Sequence, residues 1–160
     1  MDRMTTVKIT AKKGREKIVA LTAYDFFTAR FLDSAGIDIL LVGDSVNMVL
    51  YGKPNTLSAT MDTMLAHTEA VASAAVYSLV VADMPFLSYQ VSDEEAVRNA
   101  GRFLKESGAA AVKLEGGYEI APLVSRLVNI GIPVLGHIGM QPQSYHKYGG
   151  YRLQGKTEES

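Results

Sequence analysis

Short runs of Val, Ile and Leu alternate along the chain with longer segments in which apolar residues recur every three or four positions. The short runs read as strands and the longer ones as amphipathic helices, and their alternation predicts βα units around a parallel sheet. Five strands are expected, over residues 18–22, 37–42, 78–82, 110–114 and 133–136. A first helix is expected over 26–35. A second, over 60–75, carries Met64, Leu65, Thr68, Val71, Ala72 and Ala75 along one side. The third has the clearest start, because Ser92 with Glu95 three residues later forms a capping box, while Ala96, Ala100, Phe103 and Leu104 give an inner face and Gly108 an end. The fourth has the clearest stripe, Ile120, Leu123, Val124, Leu127 and Val128, closed by Gly131 and Pro133.

Residues 43–59 and 139–160 read as irregular. Both follow the C-terminal ends of strands, where α/β sheets and barrels carry their ligand loops. The glycines of "GGYRLQGKTEES" suit either a mobile lid or an unstructured terminus. No repeat or linker divides the chain, so residues 1–160 are expected to form a single domain. A closed (β/α)8 barrel needs eight strands and typically ~250 residues. Five strands therefore predict either an open doubly wound sheet or the first part of a barrel.

The strand ends carry the chemistry. Strand one runs into Tyr24 and Asp25, strand two into Asp44 and Ser45, strand three into Asp83, strand four holds Lys113 and Glu115, and strand five delivers His137. One such Asp is equally at home as a turn residue, but all five strands place ionisable groups at one rim. In "AAVKLEGG", Lys113 and Glu115 are two apart and share a face, opposite Val112 and Leu114. With helices on the outer face, the charged pair points inward and needs partners: each other, a metal or a charged ligand. Asp44, Asp83 and Glu115 form an all-oxygen set that favours a hard cation such as Mg2+, with Lys113 and Ser45 left for an anionic substrate. His137 is open between metal ligand, acid or base, and hydrogen-bond donor. His67 and His146 are assigned no role.

Composition narrows the partners. Sixteen Lys and Arg against seventeen Asp and Glu give a net charge of −1, so nothing favours nucleic acid or an anionic membrane. The 48% hydrophobic content is that of an ordinary globular domain. The chain has no cysteine, hence no disulfide framework and no thiolate metal site. Its polar start is neither a signal peptide nor a membrane anchor, and cytoplasm is the expected location.

Seven stretches in order carry a resemblance: "LTAYD" (Leu21 to Asp25), "LLVGDS" (Leu40 to Ser45), "AHTEAV" (Ala66 to Val71), "ADMPF" (Ala82 to Phe86), "VKLEGG" (Val112 to Gly117), "GIPVLGHIGMQPQS" (Gly131 to Ser144) and "GGYRLQGKT" (Gly149 to Thr157). Together they resemble the ketopantoate hydroxymethyltransferase family. The resemblance implies a (β/α)8 TIM barrel of the phosphoenolpyruvate/pyruvate type, of which about the first five βα units are present. It implies transfer of a hydroxymethyl group from 5,10-methylenetetrahydrofolate to 3-methyl-2-oxobutanoate, giving 2-dehydropantoate through a Mg2+-stabilised enolate. It places Asp44 and Asp83 on Mg2+ with Glu115 completing the protein's share, and Asp44, Ser45, Asp83 and Lys113 around the substrate. A homo-oligomer and two small-molecule partners, the 2-oxo acid and the folate, are also implied. The family's general base is a glutamate expected beyond residue 160. The chain departs from the family at "YGKPNTLSATMD" (Tyr51 to Asp62), where many members carry Gly-His followed by Ser-Thr-Leu-Pro. Two other readings stand beside this one: another Mg2+-dependent 2-oxo-acid barrel of the carbon–carbon lyase or mutase type, and a non-catalytic half-barrel that pairs with another chain.

Overall fold

A computed structural model describes residues 2–156; residues 157–160, the last part of the tail read above as a lid or loose terminus, lie outside the described residues. In chain order the elements are α1 (Thr6–Ala11), β1 (Ala20–Thr22), α2 (Phe26–Ser34), β2 (Ile39–Val42), α3 (Val46–Val49), α4 (Met61–Ala74), β3 (Leu79–Asp83), α5 (Asp93–Glu106), β4 (Ala111–Glu115), α6 (Ala121–Asn129), β5 (Val134–His137) and α7 (Tyr145–Tyr148).

The five strands form one parallel sheet in the order β1-β2-β3-β4-β5. Each strand pairs with the next in sequence, so the crossovers run in one sense and lay the helices on one face. A doubly wound sheet would reverse its order part-way. The order therefore resolves the two expected architectures in favour of a partial (β/α) barrel.

The strands begin one or two residues later than the apolar runs, and β3, β4 and β5 end one residue later, on Asp83, Glu115 and His137. Hydrophobic runs mark burial, whereas strand limits are set by the neighbour available for pairing. β1, with one neighbour, keeps only three residues. Three elements have no counterpart in the expected pattern. They are α1 in the polar start, α3 within 43–59 and α7 within 139–160. All are one turn or little more, too short to show a period of 3.6.

The core divides by strand parity. Leu40, Val42, Val80, Ala82, Val112 and Leu114 point outward and pack with Met64, Val71, Ala96, Ala100, Phe103, Leu123 and Leu127 from the helices. Ile39, Leu79, Val81 and Ala111 point inward and are covered at the N-terminal end of the sheet by Met4 and Ile9 from the α1 segment. The Met4 N–H donates to the Tyr77 carbonyl at 2.6 Å, and Lys12 holds Asp38 at 2.7 Å, which pins α1 beneath the barrel. Above this apolar layer the inward positions become Asp83, Lys113 and Glu115.

The helix ends follow the expected chemistry in part. The Ser92 hydroxyl accepts from the Glu95 N–H at 3.2 Å, one arm of the capping box, and Gly108 beyond α5 adopts φ 75°. On α6, Leu123 and Leu127 are buried as expected, but Val128 is 51% exposed, because the stripe is wider than the single sheet face beneath it. No helix of the described residues is long and apolar enough to cross a membrane.

Asp33, at the end of α2, accepts from the backbone N–H groups of Val76, Tyr77 and Ser78 at 3.1, 3.0 and 2.7 Å, and so ties that helix to the entry of β3. Burial alone would raise its pKa, yet these hydrogen bonds outweigh burial and hold it below the usual carboxylate range. Its stabilisation is present above the unfolded pKa and is lost as pH falls through the lower folded one. Asp33→Ala is expected to cost about 3 kcal/mol in urea unfolding at pH 7, with the deficit shrinking towards pH 3; a loss under about 0.5 kcal/mol would refute this role.

Candidate functional site

The chemistry collects at the C-terminal rim of β2 to β5. Register places Asp83 opposite Lys113 and Glu115 opposite His137, so strand pairing alone brings four polar side chains onto the inner face. Lys113 Nζ lies 2.7 Å from Asp83 Oδ1 and 3.6 Å from Glu115 Oε1. His137 Nδ1 is 3.4 Å from Glu115 Oε1 and 3.5 Å from Lys113 Nζ. Asp44, Asp83, Lys113 and Glu115 are all buried, while His137 is half-buried at the open side.

Asp44 arrives by a turn. Beyond β2 the chain passes Gly43, where a Cβ would stand 2.6 Å from Ser45 Oγ and 3.9 Å from Asp83 Oδ2. The bare backbone leaves room for the Ser45 hydroxyl, and the Asp44 N–H that follows donates to Asp83 Oδ2 at 3.2 Å. Ser45 Oγ is held by the Tyr24 hydroxyl at 2.8 Å. The acid at the end of "LLVGDS" is thus a member of the rim cluster, as the strand-end pattern implied.

Burial is the main influence on the acids. It raises the Asp44 carboxyl, with Gln143 and Lys113 opposing and Glu115 adding to the rise. It pushes Asp83 up to about 7, against the pull of Lys113 and with the charge of Asp44 reinforcing it. For Lys113 burial works against the ammonium, but Asp83, Glu115 and Asp44 outweigh it and its pKa is raised. Three buried acids face one ammonium, so acidic groups outnumber cations at this rim. Two buried oxygens, Asp83 Oδ1 and Glu115 Oε1, accept no aligned hydrogen bond. Asp83 Oδ1 has an ion-pair contact with Lys113 that falls outside hydrogen-bond alignment. Among the described residues no three His, Asp or Glu side chains converge as a ready-made metal cage.

Two residues of the cluster carry no sequence signal. Gln143, from the 3-10 turn Pro142–Ser144 after β5, is 6% exposed and reaches Asp44, Glu115 and Met84. Tyr89 meets Gln143 Oε1 at 2.7 Å and the Glu115 backbone, and burial pushes its phenol above its ordinary value, so it stays a donor. Gln143 stands in the quoted stretch "GMQPQS", yet an uncharged amide in a loop has no period to betray it. His67 also has a place: Nδ1 donates to the Tyr24 carbonyl at 2.6 Å and Nε2 meets the Tyr51 hydroxyl at 2.7 Å, fastening the 43–59 loop to the rim. In that loop Asn47 Nδ2 holds Ser58 Oγ at 3.0 Å and the Thr56 carbonyl at 3.4 Å, while Asn55 Oδ1 accepts from the Leu57 N–H, so the departing segment Lys53 to Asn55 folds on its own backbone. His146 lies exposed on α7, edge-on to Tyr145.

A family model described as ketopantoate hydroxymethyltransferase matches residues 3–160. The chain belongs to the ketopantoate hydroxymethyltransferase family. Among curated relatives named 3-methyl-2-oxobutanoate hydroxymethyltransferase, that of Syntrophobacter fumaroxidans is 56% identical over 159 residues, which is 99% of this chain and 56% of the relative. That of Pyrobaculum neutrophilum is 59% identical over 147 residues, 92% of this chain and again 56% of the relative. This member of the family therefore spans just over half the length of the curated relatives it matches. Among solved structures, oxaloacetate acetylhydrolase matches with TM-score 0.62 at 18% identity, covering 83% of this chain and 52% of that one. 2,3-Dimethylmalate lyase, a member of the phosphoenolpyruvate mutase/isocitrate lyase superfamily, matches with TM-score 0.58 at 22% identity, covering 82% and 51%. These two likenesses establish the barrel fold.

Asp83 gives this ketopantoate hydroxymethyltransferase-family chain a pH signature. Its folded pKa of about 7 lies above the ordinary carboxylate value, so between roughly pH 4 and 7 the folded state keeps a proton that the unfolded state has lost. The stability attached to that proton is complete below the unfolded pKa and is lost as pH rises through about 7. In divalent-free buffer, wild type is expected to lose stability relative to Asp83→Asn from pH 5 to 8, with a slope of at most about 1.4 kcal/mol per pH unit. Parallel stability curves for the two proteins would contradict it.

Proposed function

We propose that these residues form the metal- and carboxylate-binding part of a hydroxymethyltransferase site, which passes a one-carbon unit from 5,10-methylenetetrahydrofolate to 3-methyl-2-oxobutanoate and yields 2-dehydropantoate. The observation that carries the reading is the pair of buried oxygens, Asp83 Oδ1 and Glu115 Oε1, without aligned hydrogen bonds at a rim where three buried acids face one ammonium. Such a rim fits a divalent cation. Mg2+ is commonly held by one or two carboxylates together with water and substrate oxygens, so a full protein cage is not required. Asp44 and Asp83, with Glu115, would hold it. When bound, Mg2+ would polarise the 2-oxo group of the acid and so acidify the C–H beside it.

Holding the substrate carboxylate falls to this chain's own groups, whereas the base that would take the C–H proton is, on the family resemblance, a glutamate outside these 160 residues. Lys113 keeps its ammonium charged and, beside the Ser45 hydroxyl that Tyr24 orients, offers a cation and a donor to the substrate carboxylate. The burial of Asp44, Asp83 and Glu115 lowers the local dielectric and strengthens every charge contact made there. His137, half-buried and next to both Lys113 and Glu115, is the imidazole that would border the bound acid. The partners on this reading are two small molecules, consistent with a net charge of −1 and no bias towards polyanions.

A protein that carries these residues together with the general-base glutamate is expected, with Mg2+, to convert 3-methyl-2-oxobutanoate in the presence of 5,10-methylenetetrahydrofolate, followed by proton NMR of the product, while these 160 residues alone are expected to turn over poorly. Asp44→Ala and Lys113→Ala should each lower kcat/KM by about 100-fold or more. Undiminished turnover after removal of divalent ions by EDTA, or by Asp44→Ala, would sink the assignment.

A further inference from the structure

Each of the three acids has one oxygen already engaged. Asp83 Oδ2 accepts from the Asp44 N–H at 3.2 Å. Asp44 Oδ2 accepts from Gln143 Nε2 at 2.9 Å, and Glu115 Oε2 accepts from the Gln143 backbone N–H, also at 2.9 Å. A single residue from the loop after β5 therefore engages two acids, Asp44 in the loop after β2 and Glu115 at the end of β4, 99 and 28 positions away in sequence.

The carboxamide cannot turn over. Its Nε2 faces the Asp44 carboxylate and the Met84 carbonyl at 2.9 Å, and a carbonyl oxygen can only accept. Its Oε1 faces the Tyr89 hydroxyl at 2.7 Å and the Gln90 side-chain amide at 3.2 Å. Both ends are satisfied in one orientation and opposed in the other. The buried network is complete for Gln143, while Asp83 Oδ1 and Glu115 Oε1 remain without an aligned partner.

We propose that Gln143 is a positioning residue that engages one oxygen of Asp44 and one of Glu115, so that each acid offers a single oxygen to a small divalent cation. The inference rests on the metal-binding reading given above and adds a selectivity to it. Carboxylates with one oxygen withheld can bind only through the other. Single-oxygen ligation suits Mg2+, which demands near-octahedral geometry at short distance, and disfavours Ca2+, which takes more oxygens and readily accepts both from one carboxylate. Tyr89 belongs to the same device, because its hydroxyl meets Gln143 Oε1 at 2.7 Å and also accepts from the Glu115 N–H at 3.1 Å.

The test is titration calorimetry of the intact protein with Mg2+ and separately with Ca2+, with thermal unfolding recorded for every variant. Gln143→Met keeps the volume and removes the hydrogen bonds. It is expected to weaken Mg2+ binding by about 10-fold to 100-fold and Ca2+ binding by less, so that the Mg2+ to Ca2+ affinity ratio falls. Tyr89→Phe removes one buried oxygen and is expected to move the ratio in the same direction by a few-fold. A purely structural role would lower the unfolding temperature while leaving the ratio unchanged in the folded protein, and that result overturns the proposal. Should Gln143→Met fail to fold, Tyr89→Phe decides alone, and an unaltered ratio there also overturns it. A wild-type protein that binds neither cation would overturn the metal reading itself, and this inference with it.

Discussion

Everything at the rim is organised around one buried ammonium. Lys113 sits on a fully buried strand, with Asp83 opposite it in register and Glu115 two residues along. A lysine in that position would ordinarily lose its proton, since burial disfavours the charged form. Here the acids outweigh burial and the charge is kept. The same arrangement leaves the acids in excess, and it is this excess, rather than any one residue, on which the proposed metal reading rests.

The fold supplies the contrast in which those charges matter. The inner face of the sheet changes character along the strands, from Ile39, Leu79, Val81 and Ala111 at the covered N-terminal end to Asp83, Lys113 and Glu115 at the other. The α1 segment packs on the apolar end with Met4 and Ile9, beside an open cavity lined by Ile39, Leu79, Val81 and Ala111. Approach to the charged layer from the other side passes the loops after β2, β3 and β5. Around these loops, contacts run from His67 on α4 to Tyr24 and Tyr51, from Tyr24 to Ser45, and from Gln143 to Tyr89 and Asp44.

Membership of the ketopantoate hydroxymethyltransferase family rests on sequence along nearly the whole chain, whereas the likeness to acetylhydrolase and lyase structures rests on backbone shape. The strand ends that carry Asp83, Lys113 and Glu115 are brought together by register within the sheet. The Gly43 turn, Tyr89 and Gln143 are loop features, and loops on a shared scaffold are where the chemistry of one enzyme departs from that of another.

Much of this was legible in the sequence because two simple periods govern it. Alternation of short apolar runs with helical stripes determined the order and type of the main elements, and a spacing of two put Lys113 and Glu115 on one face, where the structure has them. The acids at the strand ends were legible for the same reason, since a charge that ends an apolar run is placed by the run. Periodicity left open whether the sheet was singly or doubly wound, because strand order depends on which strands meet and not on their composition, and it was the family resemblance that implied the barrel borne out by the strand order. Periodicity gave no sign of the one-turn helices α1, α3 and α7, and none of Tyr89 or Gln143. Periodicity reports which face of an element is buried. It does not report which loop folds over which, and Gln143 reaches Asp44 across 99 residues only after the barrel has closed that distance.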